Sequence, residues 1–442
     1  MIGYVLGLVQ LARSRTTRQA FYVSLATGFA CFAPQLAFFW GIFGASAIAL
    51  WMILALWTVA FVVLTRLAIV QLGLGRAAFL TPFLWTGLEY FRSELYYLKF
   101  SWLNVGYAFA EVPYVPWRFI GTYGMGFGLV AAVVVVLQIK RVSNARLRRI
   151  FSLAAFGVVT LFAMAVLPMT LKSQPPSNLA FGGVQLEFVE EEKILSALDD
   201  LLTEYPLHHR TNFSLDRQAG LPLAILPEYA LTDAPSEALR DWSRTNEMFL
   251  IIGGKDASPE TNYFNTAFVI STNGEIVFKQ GKSVPIQFFS DGMPAAEQKV
   301  WESPWGKIGI CICYDLSYTR VTDELVRQGA RMLIVPTMDV ANWGRHQHEL
   351  HARIAPVRAA EYGIPIFRVA SSGISQGVEA NGRVQVIAPF PGEGERLYFA
   401  ANLERRGEVP PDRLLAILST GITGIFIVRA VIARLFRRRA DR

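Results

Sequence analysis

Three short apolar runs in this chain each end in a residue able to do chemistry. Ile225-Leu-Pro-Glu228 ends in a carboxylate, Gly274-Glu-Ile-Val-Phe-Lys-Gln-Gly-Lys282 ends in an amine, and Gly306-Lys-Ile-Gly-Ile-Cys-Ile-Cys-Tyr-Asp315 carries Cys313 into a polar, aromatic turn. A thiol with a pKa of about 8.5 is only slightly ionised at neutral pH, so Cys313 needs a base, and Glu228 suits that task. Attack on a carbonyl builds negative charge on its oxygen, which a fixed ammonium and backbone N–H groups stabilise. Base, cation and thiol in that order specify a covalent catalyst whose steps require neither a metal nor an organic cofactor, and none is expected. The cation is Lys282 or Lys279, which lies on the same run. Alternation puts Cys311 and Cys313 on one strand face; Cys311 reads as core, and Cys-x-Cys alone is a poor zinc signal.

The elements that must hold these groups fall into two kinds. Of 442 residues, 52% are hydrophobic and 17% charged, too apolar for an ordinary soluble protein. Apolar runs cover Ala20 to Ile42, Ala45 to Leu72, Ala77 to Phe91, Phe119 to Ile139, Ile150 to Leu171 and Leu414 to Val428. Most approach the ~20 residues a helix needs to cross hydrocarbon. Basic clusters at Arg13, Arg15 and Arg18, at Arg66 and Arg76, at Lys140 to Arg149 and at Arg437 to Arg439 all face the cytoplasm if the spans alternate, which exports the segment from Lys172 to about Arg413. The net charge of +7 is then a topology signal, and no nucleic-acid partner is expected. The three domains expected are 1–172 (transmembrane helices), 173–412 (catalytic) and 413–442 (a last span with a basic tail). Within the middle segment, β-rich runs such as Phe249 to Gly253, Ala267 to Ser271, Ile308 to Ile312, Arg331 to Pro336 and Pro365 to Ala370 alternate with helical stretches at Ser236 to Asn246, Arg320 to Gln328 and His346 to Tyr362. That interleaving predicts a layered α/β fold. Gln174-Pro-Pro-Ser177 reads as the linker into it.

Pro-Glu, then a Lys after Gly-Glu-Ile-Val, then Ile-Cys-Tyr-Asp resembles the nitrilase or carbon-nitrogen hydrolase superfamily. Pro82 to Arg92, Ser101 to Tyr107, Ile120 to Gly124, Trp343-Gly344 and Val357-Arg-Ala-Ala-Glu-Tyr-Gly363 are similar to segments of the apolipoprotein N-acyltransferase family, its membrane branch. The resemblance implies an α-β-β-α sandwich inserted between transmembrane helices, with a Glu228, Lys282 and Cys313 triad. It prefers Lys282 over Lys279. It implies supporting or substrate-binding roles for Tyr314, Asp315, Gln287, Trp343, His351, Arg358 and Glu361. It further implies an enzyme of the bacterial inner membrane with its catalytic domain on the periplasmic side. Its acyl donor is a phospholipid, and its acceptor is a lipoprotein or another amine.

Two departures accompany the resemblance. Asp315 stands where this branch commonly has Glu. After Lys282 the chain reads Ser283-Val-Pro-Ile-Gln-Phe-Phe-Ser-Asp-Gly-Met293, without the glutamate that is the family's fourth active-site carboxylate, and Gln287 or Asp291 is left to compensate. Ile286, Phe288, Phe289 and Met293 suit either a loop against lipid or an acyl chain, or ordinary packing. The match enters at the family's second membrane helix, with Val5 to Leu11 as its tail. Glu89, Arg92 and Glu94 read as a headgroup site or a structural ion pair before a catalytic one, and His351 as packing or capping before proton transfer. The altered loop also keeps open a membrane-tethered amidase, or a catalytically weak protein that binds lipid or lipoprotein.

Overall fold

The computed structural model describes residues 1–14, 16–112, 115–139, 179–212, 221–257 and 262–440. The expected span Ile150 to Leu171, the basic loop Lys140 to Arg149 and the linker Gln174 to Ser177 lie outside them. The chain divides into two compact units, Met1–Lys172 with Pro410–Arg442, and Ser173–Val409.

The first unit is helical. Three of its described stretches are long and apolar enough to cross a membrane: Ser46–Leu95, Trp117–Gln138 and Asp412–Phe436. The first, 50 residues long, would run to ~75 Å if straight, more than twice the hydrocarbon thickness. It does not run straight. Gly73 has φ +77°, a conformation open to a residue without Cβ, and Phe61 meets Trp85 edge to face at 4.9 Å although 24 residues separate them. The helix therefore folds back on itself at Gly73. The expected span Ala20 to Ile42 is instead two helices, Thr17–Gln35 and Phe38–Phe43. Pro34 lies in the last turn of the first, where its ring and missing N–H disfavour continuation.

At the end of the long stretch, a π-helical turn over Phe91–Leu95 carries polar groups that are almost fully buried. Glu89 accepts the Val105 N–H at 2.8 Å, Arg92 and Ser93 both donate to Asn104 Oδ1 at 2.6 and 2.9 Å, and the Tyr123 hydroxyl donates to Glu94 at 3.1 Å. These side chains pin the connection through Asn104 and Val105 to the helices.

The second unit is a sandwich of two six-stranded sheets. One has the order β12-β1-β2-β3-β4-β5 and the other β11-β10-β9-β8-β7-β6. The strands are β1 Leu179–Val184, β2 Leu223–Ile225, β3 Phe249–Ala257, β4 Tyr263–Ile270, β5 Ile276–Gly281, β6 Val300–Ser303, β7 Gly306–Ile310, β8 Met332–Thr337, β9 Ile366–Ala370, β10 Ser375–Val378, β11 Val384–Ala388 and β12 Arg396–Ala401. In each sheet the three parallel strands, β1-β2-β3 and β7-β8-β9, are joined by helical crossovers. β8 and β9 are buried at every position, as continuous apolar strands covered on both faces must be.

Phe367 of β9 stacks on Phe399 of β12 at 5.5 Å and tilts onto Phe181 of β1 at 6.3 Å, which closes the sheets face to face. On the outer side, Ile194, Leu198 and Leu201 of helix Glu191–Asn212 and Trp242 of helix Glu237–Thr245 join a core with Ala224, Leu250 and Ile252. The α-β-β-α layering expected from the sequence is present. The single helix expected at His346 to Tyr362 is two, Arg345–Ala352 and Ile354–Tyr362, because Pro356 has no N–H for the Ala352 carbonyl.

Candidate active site

Parallel strands leave their carboxyl ends open for function, and the site is built there. Glu228 follows β2, Cys313 follows β7, and Met338 and Asp339 follow β8. Glu228 approaches the neighbouring strand closely because residue 253 is glycine: a Cβ there would stand 2.5 Å from the Glu228 Cα. Its Oε1 accepts from Lys282 Nζ at 2.8 Å and Asn265 Nδ2 at 2.6 Å, and its Oε2 accepts the Met338 N–H at 2.7 Å. Lys282, at the end of β5 and 0% exposed, also pairs with Asp291 at 2.7 Å. One ammonium thus sits between two buried carboxylates.

Cys313 opens a 3₁₀ turn, Cys313–Ser317, with φ +51°, a left-handed backbone that strains a residue with a side chain. Its thiol is directed at the Met338 carbonyl at 3.8 Å. Burial pushes the Cys313 thiol well above its ordinary pKa, and the Glu228 charge pushes it further, while Lys282 works against both. Burial also raises Glu228, against Lys282. For Lys282, burial opposes the charge, but Glu228 and Asp291 outweigh it and hold the ammonium well above the usual lysine range. The resting site therefore contains a neutral thiol beside a permanently charged amine. A carboxylate of raised basicity completes it.

The turn after Cys313 is fastened from two directions. Asp315 accepts the N–H groups of Ser283, Val284 and Ile312 at 3.1, 2.7 and 3.2 Å, so one side chain joins the segment after Lys282 to the segment around Cys313. Burial pushes its carboxyl up to about 6, against Lys282 and these donors. Arg358 donates to the carbonyls of Leu316 and Ser317 at 3.2 and 2.9 Å and pairs with Glu361 at 2.5 Å. Arg358 and Glu361 thus brace the turn from behind. Tyr314 is buried edge-on to Tyr318 at 4.9 Å. Trp343 is half-buried and meets Phe289 at 6.0 Å, beside Phe288, which is 66% exposed.

Of the two residues left to supply the missing carboxylate, the geometry favours Asp291. It is buried, and besides Lys282 it takes Tyr229 OH at 3.0 Å, Asn265 Nδ2 at 2.9 Å and the Ile286 N–H at 2.7 Å. Gln287 is half-buried on the same loop. Lys279 lies on β5 at the surface, paired with Asp256 at 3.0 Å, and Cys311 is fully buried.

Sequence reasoning missed Asn265, which links Glu228 to Asp291, and, beside the expected His351, its partners Asp339 and Arg368. Nothing marks Asn265 within its strand. Asp339 did carry a signal, since Ile334-Val-Pro-Thr-Met-Asp339 ends an apolar strand in a carboxylate much as Ile225-Leu-Pro-Glu228 does. Cys313, Asp339 and His351 come close enough to hold a metal ion between them. Their setting does not fit one, because the Arg368 guanidinium bonds the Asp339 carboxylate and lies 3.0 Å from His351 Nδ1, where it already supplies the counter-charge. Burial works against the Asp339 charge, yet His351 and Arg368 hold it well below the usual carboxylate range. Burial, with Arg368 adding to it, pushes His351 below the ordinary histidine value.

Two family models match this chain: the apolipoprotein N-acyltransferase N-terminal domain over residues 1–137 and the carbon-nitrogen hydrolase over residues 193–397. It is similar to an apolipoprotein N-acyltransferase of Geobacter metallireducens, 23% identical over 72% of this chain and 69% of that one. It is also similar to one of Shewanella oneidensis, 24% identical over 86% and 81%. Among solved structures, a nitrilase-superfamily protein of Saccharomyces cerevisiae covers 52% of this chain and 93% of its own at 20% identity, with a TM-score of 0.42.

Proposed function

Because this chain belongs to the apolipoprotein N-acyltransferase family, the membrane branch of the nitrilase superfamily, we propose that it moves a fatty acyl chain from a phospholipid, through a thioester on Cys313, to the N-terminal amine of a lipoprotein. The observation that carries this reading is the buried Lys282 ammonium held between Glu228 and Asp291, with Glu228 on the backbone N–H of Met338 and the Cys313 thiol facing its carbonyl.

Glu228 takes the Cys313 proton as Sγ attacks the ester carbonyl carbon. The charge on the carbonyl oxygen is met by Lys282, which keeps its own proton, and by N–H groups of the turn after Cys313. The carbon–oxygen bond then breaks, and Glu228 returns the proton to the departing alkoxide, so a lysophospholipid leaves and the thioester remains. The acceptor amine attacks that thioester, Glu228 removes the amine proton, and the expelled thiolate recovers it. Donor and acceptor use one site in turn, which is ping-pong transfer.

The topology belongs to the same proposal: residues 1–172 and 413–442 lie in the inner membrane, and the catalytic domain at 173–412 faces the periplasm. Its support is the three helices of spanning length and the basic clusters between and after the apolar runs. Protease added to spheroplasts is then expected to cut the Ser173–Val409 unit, and full protection would overturn that orientation.

The chemistry is tested with a labelled phospholipid. Wild type is expected to carry hydroxylamine-labile label that Cys313→Ala lacks, and adding a diacylated lipopeptide is expected to give an N-acylated product by mass spectrometry. Equal label on Cys313→Ala refutes the thioester. Free fatty acid as the sole product replaces transfer by hydrolysis.

A further inference from the structure

The backbone of one residue touches both reacting side chains: the Met338 N–H, in the peptide shared with Thr337, donates to Glu228 Oε2 at 2.7 Å, and the Met338 carbonyl, in the peptide shared with Asp339, faces the Cys313 thiol at 3.8 Å. The residue that follows is restrained at every polar atom. Asp339 accepts from Gln347 Nε2 at 3.2 Å and from Arg368 Nη2, its two carboxylate oxygens lie 2.9 and 3.1 Å from His351 Nδ1, and His348 Nδ1 lies 3.8 Å away. Its own N–H donates to Ser371 Oγ at 3.0 Å, and its carbonyl accepts the Ser371 hydroxyl at 3.1 Å. So many buried charge-assisted bonds over-determine one side chain far more than burial of a loop requires.

We propose that Asp339 is a positioning residue: its attachment to Arg368, His351, Gln347 and Ser371 fixes the Met338–Asp339 peptide, and with it the Met338 backbone whose carbonyl faces the Cys313 thiol and whose N–H holds Glu228. The inference rests on the reading of Glu228 as base and Cys313 as nucleophile. His351 serves it as an orienting group, not as a second base. His351 Nδ1 lies 2.9 Å from the Asp339 carboxylate and 3.0 Å from the Arg368 guanidinium, and that cation opposes a second proton on the ring.

Two substitutions that conserve charge test it in the full chain. Ser371→Ala releases the backbone of Asp339, and Asp339→Glu lengthens the arm by one methylene. Neither alters the titratable groups facing Glu228, which are Lys282, Asp291 and the Cys313 thiol; Cys313 faces Glu228, Lys282, Asp291 and Asp339, and Asp339→Glu keeps that last charge. The readout is the pH dependence of Cys313 alkylation by iodoacetamide, beside the melting temperature. A displacement of order 1 Å lowers the rate by about 100-fold. Losing the Met338 N–H makes Glu228 a carboxylate that protonates more readily, so the acid limb of the profile moves to higher pH.

A slower, shifted profile with an unchanged melting temperature is the expected result. A wild-type profile in folded Ser371→Ala overturns the proposal whatever Asp339→Glu does. Glu228→Gln separates the two layers of the argument. If it too is alkylated like wild type, the base reading fails; if it loses the acid limb while Ser371→Ala does not change, only the positioning role fails.

Discussion

Replacing Asp291 by Asn isolates the second carboxylate on Lys282. At 2.7 Å and an effective dielectric of 20, the Coulomb attraction in that pair is about 6 kcal/mol gross. Breaking a buried pair by removing one charge typically costs about 3–5 kcal/mol net. Asn cannot recover the loss, since one Asp291 oxygen takes donors from Tyr229 and Asn265 and the other from Lys282 and Ile286. Either orientation of the new amide turns an NH₂ toward two donors. The reacting groups feel the change as well, because the Asp291 charge raises both Glu228 and Cys313. Without it Glu228 is a weaker base while the Cys313 thiol ionises more easily, so the two shifts oppose each other; thioester formation is expected to fall by about 100-fold because Lys282 loses one of the two carboxylates that hold it where the oxyanion forms. The assay is the rate of label transfer from phospholipid to protein in an acid-quenched time course, with Gln287→Ala alongside. Gln287→Ala is expected to stay within about threefold of wild type, since its side chain is half-buried and carries no charge for Lys282 to lose. A wild-type rate in Asp291→Asn together with a collapse in Gln287→Ala would refute the assignment.

Three further outcomes follow from the same geometry. Lys282→Met is expected to lower thioester formation by about 1000-fold, whereas Lys279→Ala, which breaks only a surface pair, is expected to stay near wild type; equal losses in labelling would undo the choice between them. Asp315 is raised from 3.8 to about 6 in the folded protein, so the native state holds its proton longer than the unfolded chain does. Its contribution to stability is present below pH ~4 and is lost as pH rises through ~6, by an order of 3 kcal/mol, and melting curves of Asp315→Asn between those limits should lack that slope. Gly253→Ala drives a Cβ against the Glu228 Cα and the Pro227 carbonyl, both backbone, so the base must move; unaltered labelling in a folded Gly253→Ala protein contradicts the close-approach argument.

The layered α/β character of the catalytic unit was legible because its parallel strands are short apolar runs between helical stretches, and β7, β8 and β9 fall where such runs occur. The outer strands were less so: β11 alternates half-buried and exposed positions, and β10 includes Ser375, Gln376 and Gly377, none of which spells a strand locally. In the helical unit, the break at Gly73 falls between the apolar runs Ala45 to Leu72 and Ala77 to Phe91, whereas the break that Pro34 brings inside Ala20 to Ile42 left no gap in the apolar pattern. The site divided in the same manner. Glu228, Lys282 and Cys313 end strands and carry motifs, whereas the choice of Asp291 over Gln287 depends on how a loop closes over Lys282, and no local pattern encodes that. Asp315 was expected only as a shorter stand-in for Glu. Its three backbone donors emerge once Ser283 and Ile312 are brought together by contacts distant in sequence.

The left-handed backbone at Cys313 bears on how this protein drifts under mutation. A side chain held there costs roughly 1–2 kcal/mol, and glycine removes that strain. The cysteine codons are one base away from glycine, so every generation offers a simple route to a chain that folds more comfortably and has lost its thiol. Selection for stability alone would take that route. The thiol persists only where a loss of chemistry is eliminated faster than a gain in stability is rewarded, so inactivated copies of this chain should acquire Cys313→Gly early, and should be easier to purify than the protein they descend from.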